Sequence, residues 1–480
     1  MNRNVKIHLA ILVVPLFLLL IIESLSAQED ATISFAEAWQ RVRSENDALK
    51  AARAKVKQAE HIQDSRRDLY YPEVSLSAKY IYLDDAVELS PNELFESMEG
   101  GEQAGLIAAD ISRSYGLTPT QLNAGLTSTI AERENVTSSI LATWPIYTGG
   151  RISAAQDIAS GQLGEAEHSL KREASVQFEN LVRYYFGAVL AKQVLTTYQE
   201  VEAGLKKHRD HAVLLEEQGQ IARVERMQSE AAFDKAVVER KKASRDLEIA
   251  QVALSKILKS SQLIFPADPL FIEDNLPSVK QFVGETLAHN PGLAILDKKK
   301  EQAKGLVTLQ KGQYYPTVAL FGNYSLYEED DLASKLAPEW LVGIGVKIPL
   351  FERSGRSGKL KAAKSALLQI DHLRDQAESD LSVLVEKTHR QAQQALEEFE
   401  GLLSSRQLAE ETVKLRIKAF GQGLSTSLDV VDAELFLAEI KTQRALAVYN
   451  YIIALGKLGA ISNRPETFLN FQNTQGIEEH

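Results

Sequence analysis

The 480-residue chain is 44% hydrophobic and 25% charged, the balance of a folded protein, which excludes a disordered tail. Its net charge of −11, with no basic patch interleaved with aromatics, argues against nucleic acid as a partner. It has no cysteine, which excludes disulfides, thiol catalysis and a cysteine-anchored lipid.

Arg3 and Lys6 precede an apolar run from Ile11 to Ile22, and Ser24-Leu25-Ser26-Ala27 offers a small-residue cleavage site. Residues 1–27 are therefore expected to be an export signal, with a mature chain starting near Gln28; a retained anchor is the alternative. The run is short for a transmembrane helix. After residue 27 there is no stretch of 18 apolar residues, so a mature chain that spans a membrane does so with strands.

The remaining sequence says one thing twice. Tyr70-Tyr71-Pro72 returns as Tyr314-Tyr315-Pro316, 244 residues later, and Asn46, Leu49, Gln58, Ala59, Leu76 and Tyr80 return in register as Asn290, Leu293, Gln302, Ala303, Leu320 and Tyr324. Trp144-Pro145-Ile146-Tyr147 matches Ile348-Pro349-Leu350-Phe351 at the shorter offset of 204, as Gly219 and Glu230 match Gly423 and Glu434. One structural unit built twice is implied. The change of offset places one insertion of 40 residues in the first copy, between Tyr82 and Trp144.

In chain order, a first-repeat N-terminal helix is expected over 28–72. A strand pair over 73–147 follows, split by a long acidic loop at 84–135 that carries a short helix near Leu106 to Ser114. Val74, Leu76, Ala78, Tyr80 and Tyr82 alternate with polar residues, as do Val136, Ile140, Ala142, Trp144 and Ile146, the period of a half-buried strand. Gly149-Gly150-Arg151 makes the strand-to-helix corner. Residues 148–262 contain no proline between Pro145 and Pro266, and Leu163, Ala166, Leu170, Ala174, Phe178, Leu181 and Tyr185 step by 3 or 4, the mark of helices packed in coiled-coil fashion. With a glycine break at Gly219, this is a helical hairpin with one arm from about Ser153 to Leu215 and a return from Ala222 to Leu258. An arm of about 60 residues is roughly 90 Å long, which calls for a spacing function.

The second copy repeats the plan: linker and helix at 263–316, strand pair at 317–351, helical hairpin at 352–462 reversing at Gly421 and Gly423, and a tail at 463–480. Its strands, Val318 to Leu326 and Trp340 to Leu350, flank a short acidic loop from Glu328 to Glu339. Tyr80, Tyr82, Trp144, Tyr147, Tyr324, Tyr327 and Trp340 lie at strand ends, where membrane-interface aromatics belong. Strands of about ten residues fit a membrane barrel. Four cannot close one alone, so the barrel must be shared between chains. A periplasmic coiled-coil scaffold without a barrel is the alternative, and it gives no reason for apolar strand faces flanked by aromatics.

This order, with the step Pro145-Ile146-Tyr147-Thr148-Gly149-Gly150-Arg151 and the tip segment from Gly421-Gln422-Gly423-Leu424 through Asp429, Asp432 and Glu434, resembles the TolC-like outer-membrane efflux protein family from Ser34 to Gly459. The resemblance implies α plus transmembrane β: a homotrimeric barrel with four strands per chain, set in outer-membrane lipid, and long periplasmic helical hairpins forming a tunnel. It implies an exit duct for efflux or type I secretion, with a periplasmic adaptor (membrane fusion) protein and an inner-membrane pump of RND or ABC type docking at the helical tips. Gly219, Gln220, Gly421, Gly423 and Leu424 are the implied adaptor contacts. Asp429 and Asp432 match aspartates that face the lumen near a tip closed by iris-like untwisting.

Three copies of Asp429 and Asp432 would make carboxylate rings that repel one another and draw cations. For Asp429 the competing reading is an acid complementing a helix N-terminus. Where the family often braces the tip with arginine and tyrosine, this chain has Ser425 and Phe420, and Arg223, Glu225 and Arg226 offer a different lock. The glycines permit reversals with positive φ. No Walker loop, nucleophile elbow or HExxH is present, so no enzyme, cofactor or metal is expected. His168, His208, His211, His289, His372 and His389 read as solvated residues on polar helix faces.

Overall fold

The computed structural model describes residues 31–273, 276–327, 334–335 and 337–473. The export segment 1–27, the acidic Glu328-Glu329-Asp330-Asp331 and the end of the tail lie outside the described residues. In chain order the elements are β1 (Ala31–Ile33), α1 (Phe35–Glu45), α2 (Asp47–Arg67), β2 (Glu73–Tyr82), β3 (Val87–Leu89), α3 (Pro91–Ser97), α4 (Gly101–Ser114), α5 (Pro119–Leu126), β4 (Ser128–Ala131), β5 (Glu134–Tyr147), α6 (Arg151–Glu217), α7 (Arg223–Ile257) and β6 (Ile264–Pro266). Then come α8 (Val279–His289), α9 (Pro291–Gly312), β7 (Thr317–Tyr327), β8 (Trp340–Lys347), α10 (Arg356–Gly401), α11 (Leu403–Phe420), α12 (Ser427–Ile461) and α13 (Pro465–Asn473).

The repeat is written into these bounds. The pairs α1/α8, α2/α9 and β2/β7 start 244 residues apart, at 35 and 279, 47 and 291, and 73 and 317. The return helices α7 and α12 are 204 apart at both ends, 223–257 and 427–461. The matched asparagines explain a break where a single N-terminal helix was expected. Asn46 closes α1 through its backbone N–H to the Val42 carbonyl and opens α2 by accepting the Leu49 N–H on Oδ1 at 3.2 Å. Asn290 closes α8 in the same way, and its Oδ1 takes the N–H groups of Gly292 at 2.8 Å and Leu293 at 3.3 Å. Leu49 and Leu293 then turn into the interior.

Two compact units divide the chain. The first holds residues up to 57, 164–297 and from 372 onward. Its core is aromatic: Phe35, Trp39, Phe178, Tyr185, Phe186, Phe271 and Phe468 meet at centroid separations of 5.1–6.0 Å, mostly edge to face, the preferred ring geometry. Phe468 comes from α13, within what the sequence presented as a tail. The short strands β1 and β6 pair in parallel beside this core. Tyr185 donates to the Ile33 carbonyl (2.9 Å) and the Asp268 carboxylate (2.8 Å) and accepts the N–H groups of Ala267 and Asp268, both at 3.1 Å. In the second copy His389 stands 204 residues on from Tyr185 and Pro277 stands 244 on from Ile33. His389 Nε2 meets the Pro277 carbonyl at 2.9 Å. The expectation of a solvated His389 is thus corrected: it is buried, because it holds the position of a core tyrosine.

The outgoing arm of the second hairpin departs from that of the first. Where an unbroken outgoing arm was expected, α10 ends at Gly401 and α11 begins at Leu403. Arg444 Nη1 donates to the Phe399 carbonyl at 2.7 Å, the acceptor that the Leu403 N–H uses in an uninterrupted helix. The guanidinium also lies 4.0 Å over the Phe399 ring.

The second unit holds residues 58–163 and 298–371. Its sheet has the antiparallel order β2-β5-β7-β8. Register aligns the apolar positions across all four strands: Leu76 with Ile140, Tyr324 and Trp340; Val74 with Ala142, Gly322 and Val342; and Trp144 with Leu320 and Ile344. The other face carries Ser77 with Ser139 and Thr143 with Phe321 and Gly343. A Cβ at 343 would sit 2.7 Å from the tip of the Phe321 ring, so the glycine lets that ring lie across the strand. Among the described residues no helix covers the sheet: every residue of β2 is exposed, Leu76 at 70% and Val342 at 72%. The half-buried strand expected from the pattern is apolar on one face but uncovered within one chain. The 84–135 loop, expected to hold one short helix, folds into α3, α4 and α5 between the antiparallel pair β3 and β4.

Removing the Phe35 ring, fully buried and touching four other rings, is expected to cost about 3–5 kcal/mol. A thermal melt of Phe35→Ala should show a clear drop in midpoint, whereas Val238→Ala, at an exposed site on α7, should leave it unchanged.

Candidate functional site

The two hairpins reverse by the same turn. The Gln220 N–H reaches the Leu215 carbonyl at 2.8 Å and the Leu424 N–H reaches the Ala419 carbonyl at 2.9 Å, around Gly219 (φ +70°) and Gly423 (φ +71°). Gly421 was expected to share that positive φ. It instead has φ −62°, and a Cβ there would sit 3.1 Å from His211, so close approach and not handedness explains it.

Asp429 caps α12. Its Oδ2 accepts the Thr426 N–H (2.9 Å), the Thr426 hydroxyl (2.8 Å) and the Ser425 hydroxyl (3.0 Å), while its own N–H donates to Thr426 Oγ1, a complete capping box. The Thr426 N–H, the two hydroxyls and then Arg416 hold its carboxyl down at about 2. The helix-cap reading of Asp429 is therefore realised in the single chain. Asp432 is exposed one turn further on.

The tip also joins Glu225, one of the candidate lock residues, and Phe420 to Ser427 and His208, to which the sequence gave no role in the tip. The Ser427 N–H donates to Glu225 of α7 at 2.6 Å, and the Ser427 hydroxyl meets His208 Nε2 of α6 at 2.7 Å. The His208 ring lies 4.5 Å from Phe420 of α11. Helices α6, α7, α11 and α12 thus converge on one buried serine. His208, expected to be solvated, is 5% exposed. Burial, then the neighbouring His211, pushes its pKa down to about 4. The signal that could have found it is the spacing: Val201, Leu205, His208, Ala212 and Leu215 step 4, 3, 4, 3, so His208 lies in the buried stripe.

The two tips are not equivalent in chemistry. Arg226 pairs with both Glu216 and Glu230. At the positions 204 residues on stand Phe420, Val430 and Glu434. Phe420 and Val430 are buried with Ala212 and Leu215. Arg223, the other candidate lock, is exposed.

The strand aromatics form two groups, each member 45–65% exposed. Tyr80, Tyr82, Tyr324, Tyr327 and Trp340 lie toward the loops, and Arg133 covers the Tyr82 ring at 4.9 Å. Trp144 and Tyr147 lie toward the helices, where Trp144 Nε1 donates to the Tyr70 carbonyl at 2.8 Å. Exposed Tyr71, Tyr315 and Phe351 join that end, although the sequence marked the tyrosines only as repeat signposts. Among the described residues no helix is long and apolar enough to cross a membrane, and no cluster of three metal-ligating side chains occurs.

Residues 282–464 match the family described as Outer membrane efflux protein. The chain superposes on the CusC transmembrane channel with a TM-score of 0.71, at 14% identity, covering 90% of this chain and 92% of that one. The fold is that of the TolC-like outer membrane efflux proteins. The open-state outer membrane channel MtrE of Neisseria gonorrhoeae gives a TM-score of 0.69 at 15% identity, over 91% of this chain and 94% of that one. Protein CyaE of Bordetella pertussis is 23% identical over 253 residues, 51% of this chain and 53% of that protein, so the chain spans about half the length of this curated relative. The α-plus-β architecture agrees with the reading from sequence, and the matched family and the MtrE channel are outer-membrane proteins, the location expected from that reading.

A histidine whose folded pKa is depressed stabilises the fold only while neutral. The contribution of His208 is present above its ordinary value of 6.5 and is lost as pH falls toward about 4. The melting midpoint should drop across that window, and His208→Gln should flatten the drop; parallel curves would assign the pH dependence elsewhere.

Proposed function

We propose that this protein is a passive exit duct in the outer membrane, serving a tripartite efflux or type I secretion assembly. The observation that carries this reading is the uncovered apolar sheet face. A soluble protein rarely exposes such a patch; in lipid it is the expected surface. Strand β2, ten residues long, extends roughly 33 Å, enough when tilted to cross the apolar band of an outer membrane. Among the described residues, β2 and β8 each have one strand partner, which leaves two open edges. Lipid does not tolerate open edges. Three copies, the number implied by the family resemblance, give twelve strands and close the cylinder. Its apolar face meets lipid, the two aromatic groups lie at the interfaces, and the Ser/Thr/Gly face lines the pore.

In this reading the helical hairpins bridge the periplasm. A periplasmic adaptor docks at Gly219, Gln220, Gly421, Gly423 and Leu424, and the energy comes from an inner-membrane pump. The gate lies at the tip, and the exposed Asp432, with Asp429 beside it, supplies its carboxylate ring. Opening requires α12 to part from α6 and α7, so the Ser427 contacts to His208 and Glu225 are what adaptor docking must release.

Detergent extraction tests the duct itself. The purified chain should run as a trimer and conduct in planar bilayers; a water-soluble monomer would end the proposal. Val342→Lys, on the apolar face, should cost about 2–4 kcal/mol of barrel stability, whereas Asn323→Lys, on the opposite face, should fold and alter conductance. For the gate, Asp429→Ala with Asp432→Ala should reduce cation block and cation selectivity in single-channel recordings. Asp429→Ala alone should chiefly lower stability, since that carboxylate serves as a cap.

A further inference from the structure

The internal repeat carries information about how one chain meets the next. Moved by 244 residues for its first strand and 204 for its second, the β2–β5 register becomes the β7–β8 register. Leu76 opposite Ile140 becomes Leu320 opposite Ile344, Val74 opposite Ala142 becomes Val318 opposite Val346, and Tyr80 opposite Val136 becomes Tyr324 opposite Trp340. The two copies join where β5 meets β7, with Ile140 opposite Tyr324, Asn323 opposite Leu141, Ala142 opposite Gly322 and Thr143 opposite Phe321. The same two shifts turn these pairs into Ile344 with Tyr80, Lys79 with Gly345, Val346 with Ala78 and Lys347 with Ser77. Those residues lie on β8 and β2, the two outer strands of the sheet. In that register Ile344, Val346 and Ile348 meet Tyr80, Ala78 and Leu76, so the apolar face continues unbroken. A slip of one residue would set Val346 against Ser77 or Lys79.

We propose that β8 of one copy pairs antiparallel with β2 of the next in this register, and that the seam is an anion site made by Lys347 of the first copy and Lys79 of the second. The proposal rests on the duct reading. Lys347 faces Ser77 of the next copy, and Lys79, two residues on, stands diagonal to it at a backbone separation of about 7–8 Å. Both lysines share the face of Ser77 and Gly343, both are exposed, and among the described residues neither is in an ion pair. Within the chain Lys79 lies opposite Thr137 and Lys347 opposite Thr317. The four strands carry one carboxylate on this face, Glu73, which is four residues along β2 from Ser77, about 13 Å away. At the internal junction the corresponding positions hold Asn323 and Thr143, which bear no charge. The positive pair therefore belongs to the seam alone. In a single chain β5 and β7 lie between the two lysines, and the strands that carry them are about 14 Å apart. Two ammonium groups among serine and threonine hydroxyls, open to the lumen, suit a small polyvalent oxyanion, and lysine rings favour anions in pores.

The chain has no cysteine, so paired cysteines in the full protein, purified in detergent and oxidised with copper phenanthroline, read the register directly. Opposite residues fall within disulfide reach and diagonal ones fall outside it. Ala78→Cys with Val346→Cys should give covalent dimers and trimers. Leu76→Cys or Tyr80→Cys with Val346→Cys should crosslink at least about tenfold more slowly. A conducting trimer that crosslinks best at a shifted pair would overturn the seam and leave the duct standing; a water-soluble monomer would remove both. For the anion site, pyrophosphate added on the loop side of a planar bilayer should reduce the current. Lys79→Gln and Lys347→Gln should each raise the half-blocking concentration about tenfold. The double variant should add little to either, because the two lysines act as one site, and Asn323→Ser should leave the block unchanged. No block in the parent channel, block indifferent to either lysine, or full additivity of the two changes would overturn the site.

Discussion

A β-sheet edge is a row of unsatisfied backbone donors and acceptors, and this chain has two of them on a sheet with one apolar face. Water can satisfy the edges but not the face; lipid can satisfy the face but not the edges. In the proposed duct, closure with further copies satisfies both. The alternation along β2, β5, β7 and β8, less clean in β7, keeps the apolar positions of Leu76, Val74 and Trp144 in register despite the irregularities near Ser138 and Pro145.

Duplication supplied the pieces, and the copies then diverged in chemistry while keeping geometry. Tyr185 in one half and His389 in the other reach for the carbonyls of corresponding residues, Ile33 and Pro277, each at 2.9 Å. Asn46 and Asn290 close one helix and open the next by the same hydrogen bonds. The contacts that survived are those in which a buried polar atom needs a partner, because losing one costs more than exchanging one apolar side chain for another.

Much of this was legible in the sequence, and the reasons are physical. Period two in the strands and the 3-and-4 stepping of the hairpins are written in side-chain polarity, so the four strands and both hairpins could be read directly. The repeat fixed their order. What escaped depended on three-dimensional neighbours. His208 was read by its residue type although it occupies a buried stripe position. The break at Leu402 has its side-chain partner in Arg444, which is 42 residues further along the chain and bonds the Phe399 carbonyl. Asp429 had two readings because an acid at the third position of a helix serves equally as cap or as pore charge, and only the Thr426 contacts show it acting as a cap. Helix α13 hid in a tail because it is only nine residues long, too short for its core contacts Phe468, Leu469 and Phe471 to establish a period.

The two hairpin turns share a backbone but not a chemistry. One is tied by Arg226 between Glu216 and Glu230, the other by Phe420 and Val430 in an oily pocket. Dissolved ions shield the former and leave the latter untouched, while chilling weakens the latter and spares the former. Salt and cold therefore act on the two bends differently, while the Ser427–Glu225 contact keeps the return helices α7 and α12 coupled.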